Sequence, residues 1–432
     1  MTLRIDSLDA EGRGVARNAE GKVVFVEGAL PGEEVDFQVL RKKSSFEIGR
    51  LTQVLGGASS RQTPRCPHFG VCGGCSLQHT DARTQMAAKQ RWLEENLARI
   101  GKVEPETLLP IVYGEDWRYR RRARLGARYV PKKGGAMVGF REKRSSYITD
   151  MRECHVLPAQ VSALILPLRS LVEALSIRAR LPQIEVAVGD NATVLVIRHL
   201  DPLTDDDRSR LRSFGETHSV HLWLQPGGPE SAHPFHPGES ELYYELPEFA
   251  LRLAFRPTDF TQVNHGVNRI LVSRAVRLLD PQPGERIADL FCGIGNFSLP
   301  LATTGAQVIG FEASSDLVER ARQNAALNKL AVQFEVMNLV RPNLNPYAPF
   351  DKLLVDPPRE GAVEIAKALP AAWPRRIVYV SCDPATLARD AGVLVHAKGF
   401  RLAAAGVVNM FPHTAHVESI ALFERGAGQR SA

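Results

Sequence analysis

Short signatures in the C-terminal half of this chain carry the residue types that do chemistry. Cys382 stands in Tyr379-Val380-Ser381-Cys382-Asp383-Pro384, at the end of an apolar run that reads as a strand. Upstream lie Asp289-Leu290-Phe291-Cys292-Gly293-Ile294-Gly295-Asn296-Phe297 and Asp356-Pro357-Pro358-Arg359. A glycine turn after a strand lets the backbone approach a ligand at the carboxyl edge of a parallel sheet. This one departs from a dinucleotide fingerprint, because Ser298 holds the place of the last glycine. Val308-Ile309-Gly310-Phe311-Glu312 reads as a second strand ending in an acid, and that carboxylate can accept both hydroxyls of an adenosine ribose. Asn338 stands where a third strand would end, within reach of an adenine. Together these point to S-adenosylmethionine.

A cysteine beside a methyl donor suggests methylation of a pyrimidine carbon. Uracil C5 is a poor nucleophile. A thiolate that adds to C6 turns the ring into an enolate, and C5 can then attack a sulfonium methyl; a base must next remove the C5 proton so that the sulfur can leave. Cys382 is the candidate nucleophile, which calls for a polar or positive neighbourhood. Glu418, entering the apolar run Ser419-Ile420-Ala421-Leu422-Phe423, is the candidate base, and its desolvation should raise its pKa toward a useful range. Cys292 reads as a buried packing residue. Phe260 can stack on an extruded base and Gln262 can bind the donor, with core packing the rival reading for Phe260.

Cys66-x5-Cys72-x2-Cys75 is a compact trio, and Cys154 is a plausible fourth ligand. Thiolates at such spacing wrap either a tetrahedral zinc or a cubane iron–sulfur cluster, and spacing alone leaves both open.

These groups need a scaffold of more than one core, since 432 residues exceed a single ordinary domain. Hydrophobic content of 44% and charged content of 24% suit a globular protein. The net charge of +6 is uneven. Between Trp117 and Lys133 lie Arg118, Arg120, Arg121, Arg122, Arg124, Arg128, Lys132 and Lys133 with no acid among them, a stretch that attracts phosphate or else forms a solvated basic face. Residues 1–55 read as short strands with glycine turns, forming a small barrel of the oligonucleotide-binding or SH3-like kind. Thr80 is the expected cap of a helix reaching about Ile100, with Met86, Trp92, Leu93 and Leu97 on one side. Pro226 to Ser240 reads as a loop. Beyond Phe260 strands and helices alternate, as in a doubly wound parallel sheet. The first residues lack an apolar core of a secretion signal and no run is long enough to span a bilayer, so a cytoplasmic protein with reduced cysteines and no membrane partner is expected.

The N-terminal pattern Glu11-Gly12-Arg13-Gly14-Val15-Ala16 with Ala29-Leu30-Pro31-Gly32-Glu33 resembles a TRAM domain. Taken with Cys-Pro-His-Phe-Gly-Val-Cys-Gly-Gly-Cys at 66–75, Asp-Phe-Thr-Gln-Val-Asn at 259–264, Asp-Pro-Pro-Arg-Glu-Gly at 356–361, Ser-Cys-Asp-Pro-Ala-Thr-Leu at 381–387 and Met-Phe-Pro-His-Thr-Ala-His-Val-Glu at 410–418, nearly the whole chain resembles the RNA uracil-5-methyltransferase family. That resemblance implies a multidomain α/β protein: a TRAM barrel over 1–55, a central α+β domain over 56–259 and a Rossmann-like methyltransferase domain over 260–432. It implies a [4Fe-4S] cluster on Cys66, Cys72, Cys75 and Cys154. It implies donor contacts from Gln262, Phe291, Asn296, Glu312, Asn338 and Asp356, Cys382 as nucleophile and Glu418 as base, with Phe260, Arg120 and Arg122 toward RNA. The expected substrate is 23S ribosomal RNA, with no obligate protein partner. Transfer RNA is the alternative substrate; a non-catalytic RNA-binding protein and a zinc-bound, dinucleotide-dependent oxidoreductase are the rival classes. One departure is Asp383, where the family usually has asparagine. An acid there is expected to raise the pKa of the adjacent thiol.

Overall fold

The computed structural model describes residues 2–238 and 241–425, so the end of the expected 226–240 loop lies outside the described residues, as does the side chain of Lys133. The N-terminal strands are β1 (Thr2–Arg4), β2 (Ser7–Leu8), β3 (Gly14–Arg17), β4 (Val23–Glu27), β5 (Glu34–Lys42) and β6 (Phe46–Gly56), in the order β1-β5-β6-β4-β3-β2. The two edge strands are consecutive in the chain. Between them Ile5 bonds to Glu33 of one side and Asp6 to Val15 of the other, which closes the sheet into a barrel. Alternate residues point inward, so Val24, Val26, Val35 and Phe37 fill the interior. Gly49 is required there: a Cβ would stand 2.3 Å from the Phe37 ring.

A linker then leads to α1 (Ala82–Asn96) and the short β7 (Thr107–Leu108). Asp81, not Thr80, caps α1, its carboxylate accepting from the Thr84 N–H at 2.7 Å. The Thr80 hydroxyl is spent instead on the Ser60 carbonyl. The central body follows, with β8 (Arg122–Val130), β9 (Gly135–Gly139), α2 (Ala159–Ala163), α3 (Ile165–Ala174), β10 (Gln183–Val188), β11 (Thr193–Arg198), α4 (Asp205–His218), β12 (His221–Gln225) and β13 (His233–His236). Its sheet runs β13-β12-β11-β10-β8-β9, and α3 and α4 bury Leu168, Leu171, Leu211 and Phe214 in the core beside it. Thr204 and Asp207 start α4 with a capping box. A hairpin, β14 (Leu242–Leu246) and β15 (Leu251–Phe255), leads to the last domain.

That domain contains α5 (His265–Leu279), β16 (Arg286–Leu290), α6 (Ser298–Ala302), β17 (Gln307–Glu312), α7 (Ser315–Leu327), β18 (Gln333–Val336), β19 (Lys352–Val355), α8 (Val363–Ala368), β20 (Arg376–Ser381), α9 (Pro384–Gly392), β21 (Phe400–Val408) and β22 (Glu418–Arg425). The sheet order is β18-β17-β16-β19-β20-β22-β21-β7. Strands β16 to β20 are parallel, and β22 runs antiparallel between β20 and β21. Their apolar runs are continuous because helices cover both faces.

Two pieces from the 56–259 stretch belong physically to this sheet. β7 pairs with β21, and α1 packs Trp92, Leu93 and Leu97 into the same core as Leu290, Tyr379 and Phe423. The Trp92 indole N–H also donates to the Leu8 carbonyl, tying the barrel to α1. Among the described residues no helix is long and apolar enough to cross a membrane.

Candidate active site and cysteine cavity

The sheet's register gathers the reactive residues at its carboxyl edge. Leu290 pairs with Val355 and Val355 with Tyr379, so β16 and β19 end level at Phe291 and Asp356, and β20 runs two residues further along the same edge before Cys382. Ser381 pairs with Ser419 across the antiparallel β20–β22 ladder. Continued one step, that register brings Cys382 opposite Glu418, the first residue of β22.

All three titratable groups at this edge are held toward their neutral forms. Burial raises Glu418 to about 8, reinforced by the charge of Asp356 and opposed by Lys89. Its Oε2 is buried with no hydrogen-bond partner. Burial likewise raises Asp356 to about 7. Cys382 is pushed to about 11 by burial, then by Glu418 and Asp356, against a weaker pull from Arg359. The positive neighbourhood expected for this thiol is therefore not what surrounds it: two carboxyls lie nearer its balance of charge than the one arginine. Nor is Asp383 the cause. Its carboxylate accepts from the Ala385 and Thr386 N–H groups and caps α9, with Pro384 at the first helical position.

The glycine turn lies one strand over. Phe291, Gly293 and Gly295 all take positive φ, of 65°, 53° and 94°. A Cβ on Gly293 would meet nothing within 4 Å, which leaves open space above the turn. The Glu312 carboxylate accepts from Gly293, Ala313 and Ser314, which fixes it beside that space. Below the turn, Asp289 is fully buried and accepts from the Ser298 hydroxyl at 2.5 Å, so the residue that breaks the dinucleotide pattern supports the strand end.

The other expected donor contacts differ in freedom. Gln262 is half-buried just before α5, and Asn338 is exposed after β18, its Oδ1 taking the Val340 and Arg341 N–H groups. Asn296 is tied down: it exchanges hydrogen bonds with Asn268 and accepts from the Tyr244 hydroxyl, leaving one amide N–H free of these bonds. Phe260 stands out at 69% exposed, unusual for its size and inconsistent with core packing. Arg120 donates to the Arg122 carbonyl and lies over the Phe140 ring. Arg122 departs from the expected role: its guanidinium is spent on the Pro257 and Asp259 carbonyls, fastening the central sheet to the 257–264 segment instead of facing solvent.

Cys66, Cys72, Cys75 and Cys154 line one cavity of about 190 Å³. Burial raises all four thiols, Cys75 to about 12 and Cys154 to about 11. A set of neutral thiols so buried becomes a ligand set only when a cation supplies the missing charge. Among the described residues no group of three or more His, Cys, Asp or Glu side chains is arranged to hold a metal ion. The cysteine loop touches the loop before Glu418 directly: the N–H groups of Ser76 and Leu77 both donate to the His413 carbonyl at 2.9 Å. A larger groove of about 1400 Å³ runs from the barrel past this loop to His416, with Arg13, Arg50, Arg124, Arg128 and Arg144 on its walls.

Sequence reading missed Gln85 and Lys89. Both are buried on α1 and reach the loop before Glu418: Gln85 bonds to His413, and Lys89 to Asn409 and Phe411. The available signal was their spacing, four residues apart and in phase with Trp92 and Leu93.

Comparison with known proteins gives concordant results. Residues 1–52 match the TRAM domain model, and residues 248–341 and 333–426 match the model described as tRNA (Uracil-5-)-methyltransferase. The chain is 61% identical to the 23S rRNA (uracil(1939)-C(5))-methyltransferase RlmD of Nitrosospira multiformis, over 98% of each chain. It is 60% identical to the protein of the same name from Thiobacillus denitrificans, over 97% of this chain and 98% of the other. Among solved structures, the Pyrococcus abyssi tRNA (uracil-54, C5)-methyltransferase in complex with S-adenosyl-L-homocysteine superposes with a TM-score of 0.76 at 25% identity, over 98% of this chain and 99% of that one.

Proposed function

The chain belongs to the RNA uracil-5-methyltransferase family, and from that premise we propose how its own residues methylate C5 of a uracil in 23S ribosomal RNA. It is an S-adenosylmethionine-dependent RNA uracil-C5 methyltransferase. The uracil that its relatives' names number 1939 is the proposed target.

Phe291, Glu312 and the open glycine turn suit the adenosine and ribose of the donor, with Gln262, Asn338 and Asp356 around it and Asn296 reaching through its remaining N–H. Bound S-adenosylmethionine supplies an electrophilic methyl group on a sulfonium. Cys382 loses its proton to solvent and adds to C6 as the thiolate, the C5=C6 pair moving toward C4 and the carbonyl pair onto O4. The enolate pair on C5 then takes the methyl, and the pair of the broken S–CH3 bond stays on the donor's sulfur. Glu418, as a carboxylate, takes the C5 proton; the C5–H pair restores the C5=C6 bond, and the C6–S pair leaves with Cys382. The observation that carries this reading is the antiparallel register that brings Cys382 and Glu418 to the ends of adjacent strands. Phe260, exposed on the segment before α5, suits stacking on the extruded base.

The arginine-walled groove suits the RNA backbone, with Arg120 on the wall of the neighbouring cysteine cavity and a cytoplasmic location following from the substrate. We also propose that Cys66, Cys72, Cys75 and Cys154 hold a [4Fe-4S] cluster. Four soft donors around one cavity of about 190 Å³ suit such a cluster. Bound there, the cluster would replace the thiol protons and stiffen the loop that holds His413. Visible absorption with iron at four atoms per chain tests it; a colourless zinc protein would reject it.

The substrate is tested by mapping 5-methyluridine in ribosomal and transfer RNA from cells with and without the gene. Loss confined to 23S RNA is expected. Loss from transfer RNA alone would move the substrate to the other branch of the family.

A further inference from the structure

Lys89 is fully buried on α1, which precedes the C-terminal domain in the chain but packs into its core. Two of its hydrogen bonds are to Asn409 Oδ1 at 2.8 Å and the Phe411 carbonyl at 2.9 Å. Asn409 follows Val408, the residue paired with Glu418 across β21 and β22. The cation is therefore anchored one residue from the cross-strand partner of Glu418, whose Oε2 is buried without a hydrogen-bond partner. A buried ammonium is costly unless it faces negative charge, and the groups it faces are Glu418 and Asp116.

We propose that Lys89 is a positioning residue for proton abstraction: its ammonium, fixed by Asn409 and Phe411, draws Glu418 toward the carboxylate form that must take the C5 proton. This rests on Glu418 as the base. Lys89 exchanges no atom; once Glu418 takes the proton, the pair is left as an ammonium beside a neutral acid. The surroundings leave this task to Lys89. Asp356 opposes the carboxylate form of Glu418. Cys382 also faces Glu418, and Arg359 acts on Cys382 and His416. His413 and His416 lie near Lys89, both shifted down by burial, His413 to about 4, so neither is the cation. Lys89 itself is lowered to about 7 by burial, with Glu418 and Asp116 resisting. A buried lysine so poised can lend its charge without forming a permanent contact ion pair.

The test follows single turnovers of the full-length protein on unmodified 23S RNA fragments with methyl-labelled donor, scoring the methylated covalent protein–RNA adduct on denaturing gels. Lys89→Met and Lys89→Gln should form the adduct at nearly the wild-type rate but release product slower, on the order of tenfold to a hundredfold. Raising the pH should restore release, because Glu418 then ionises unaided. Lys89→Gln keeps donors for Asn409 and Phe411 without the charge, and serves alone where Lys89→Met does not fold. Glu418→Gln run in parallel should trap the adduct at every pH; failure there rejects Glu418 as base, whereas trapping by Glu418→Gln with wild-type release in the Lys89 variants rejects the role of Lys89 alone. Equal slowing of adduct formation and release, unmoved by pH, would reduce Lys89 to a strut for the 409–411 loop and overturn the proposal.

Discussion

Asp383 and Cys382 are chain neighbours, yet the Asp383 carboxylate serves the backbone of α9, accepting from Ala385 at 2.8 Å and Thr386 at 3.1 Å. What raises the thiol is burial, Glu418 and Asp356. Asparagine caps a helix about as well as aspartate. Asp383→Asn should therefore leave the rate of adduct formation within about twofold of wild type, while Asp383→Ala should cost about 1 kcal/mol of stability through the lost cap. Chemical denaturation and single-turnover rates on the two variants check this. A large rate gain in Asp383→Asn would show that the carboxylate reaches the thiol after all.

Glu418 makes the free protein's stability depend on pH. Its folded pKa of about 8 lies above the ordinary 4.5, so the folded state keeps a proton that the unfolded chain has released. That contribution is fully present below pH 4.5 and is lost as pH rises through about 8. Glu418→Gln cannot lose it. The variant should match wild type near pH 4 and exceed it by up to about 5 kcal/mol at pH 9. Denaturant titrations at both ends of that window decide it, and a difference that does not change with pH would mean the carboxyl is solvated.

The strand–turn–strand logic of the C-terminal domain was legible because each strand there is a continuous apolar run ending in a distinctive residue: Phe291, Glu312, Asp356, Cys382. Those residues share an edge because parallel strands must. The barrel was legible for a similar reason, its glycines and alternating Val and Phe leaving few alternatives. What could not be read was pairing across long sequence separations. Nothing local to Ala82–Asn96 says that Gln85 and Lys89 will meet residues 409–413, or that Thr107 and Leu108 will extend the sheet at β21. The charge around Cys382 was misjudged for the same reason, since Glu418 arrives from a strand 36 residues downstream. The arginine run reads as one basic face, and along β8 Arg122, Arg124 and Arg128 do share a face; what divides them is packing, since Arg124 and Arg128 are exposed while the Pro257 and Asp259 carbonyls hold Arg122.

That division gives opposite outcomes for two arginines. Arg128, on the groove wall, should act through phosphate: Arg128→Ala should weaken RNA binding and reduce the slope of log affinity against log salt by about 1, with folding unchanged. Arg122 holds the Pro257 and Asp259 carbonyls. Arg122→Ala should cost roughly 1–3 kcal/mol of stability and leave the salt slope nearly intact. Binding titrations over a salt series, paired with thermal melts, separate the two; a lower salt slope for Arg122→Ala would put that side chain on the RNA.

Cys382→Ala should abolish methylation and, with donor and RNA carrying 5-fluorouridine, should give no covalent adduct, while donor binding persists because the glycine turn and Glu312 are untouched. The wild-type protein should form that adduct, since a C5 fluorine cannot be removed as a proton by Glu418 and the sulfur stays attached. The pH course of adduct formation then tests the environment of the thiol. With Cys382 raised to about 11, thiolate is scarce throughout the neutral range, and its fraction grows tenfold per pH unit. If the free-protein surroundings persist in the complex, the rate of adduct formation should climb steadily from roughly pH 6 to pH 9. A flat profile would mean that bound RNA and donor lower the thiol's pKa or relay its proton to Asp356 or Glu418 within the complex. Repeating the series with Asp356→Asn separates these outcomes: removing that charge should lower the thiol's pKa and speed addition at neutral pH, whereas removing a needed proton acceptor should slow it.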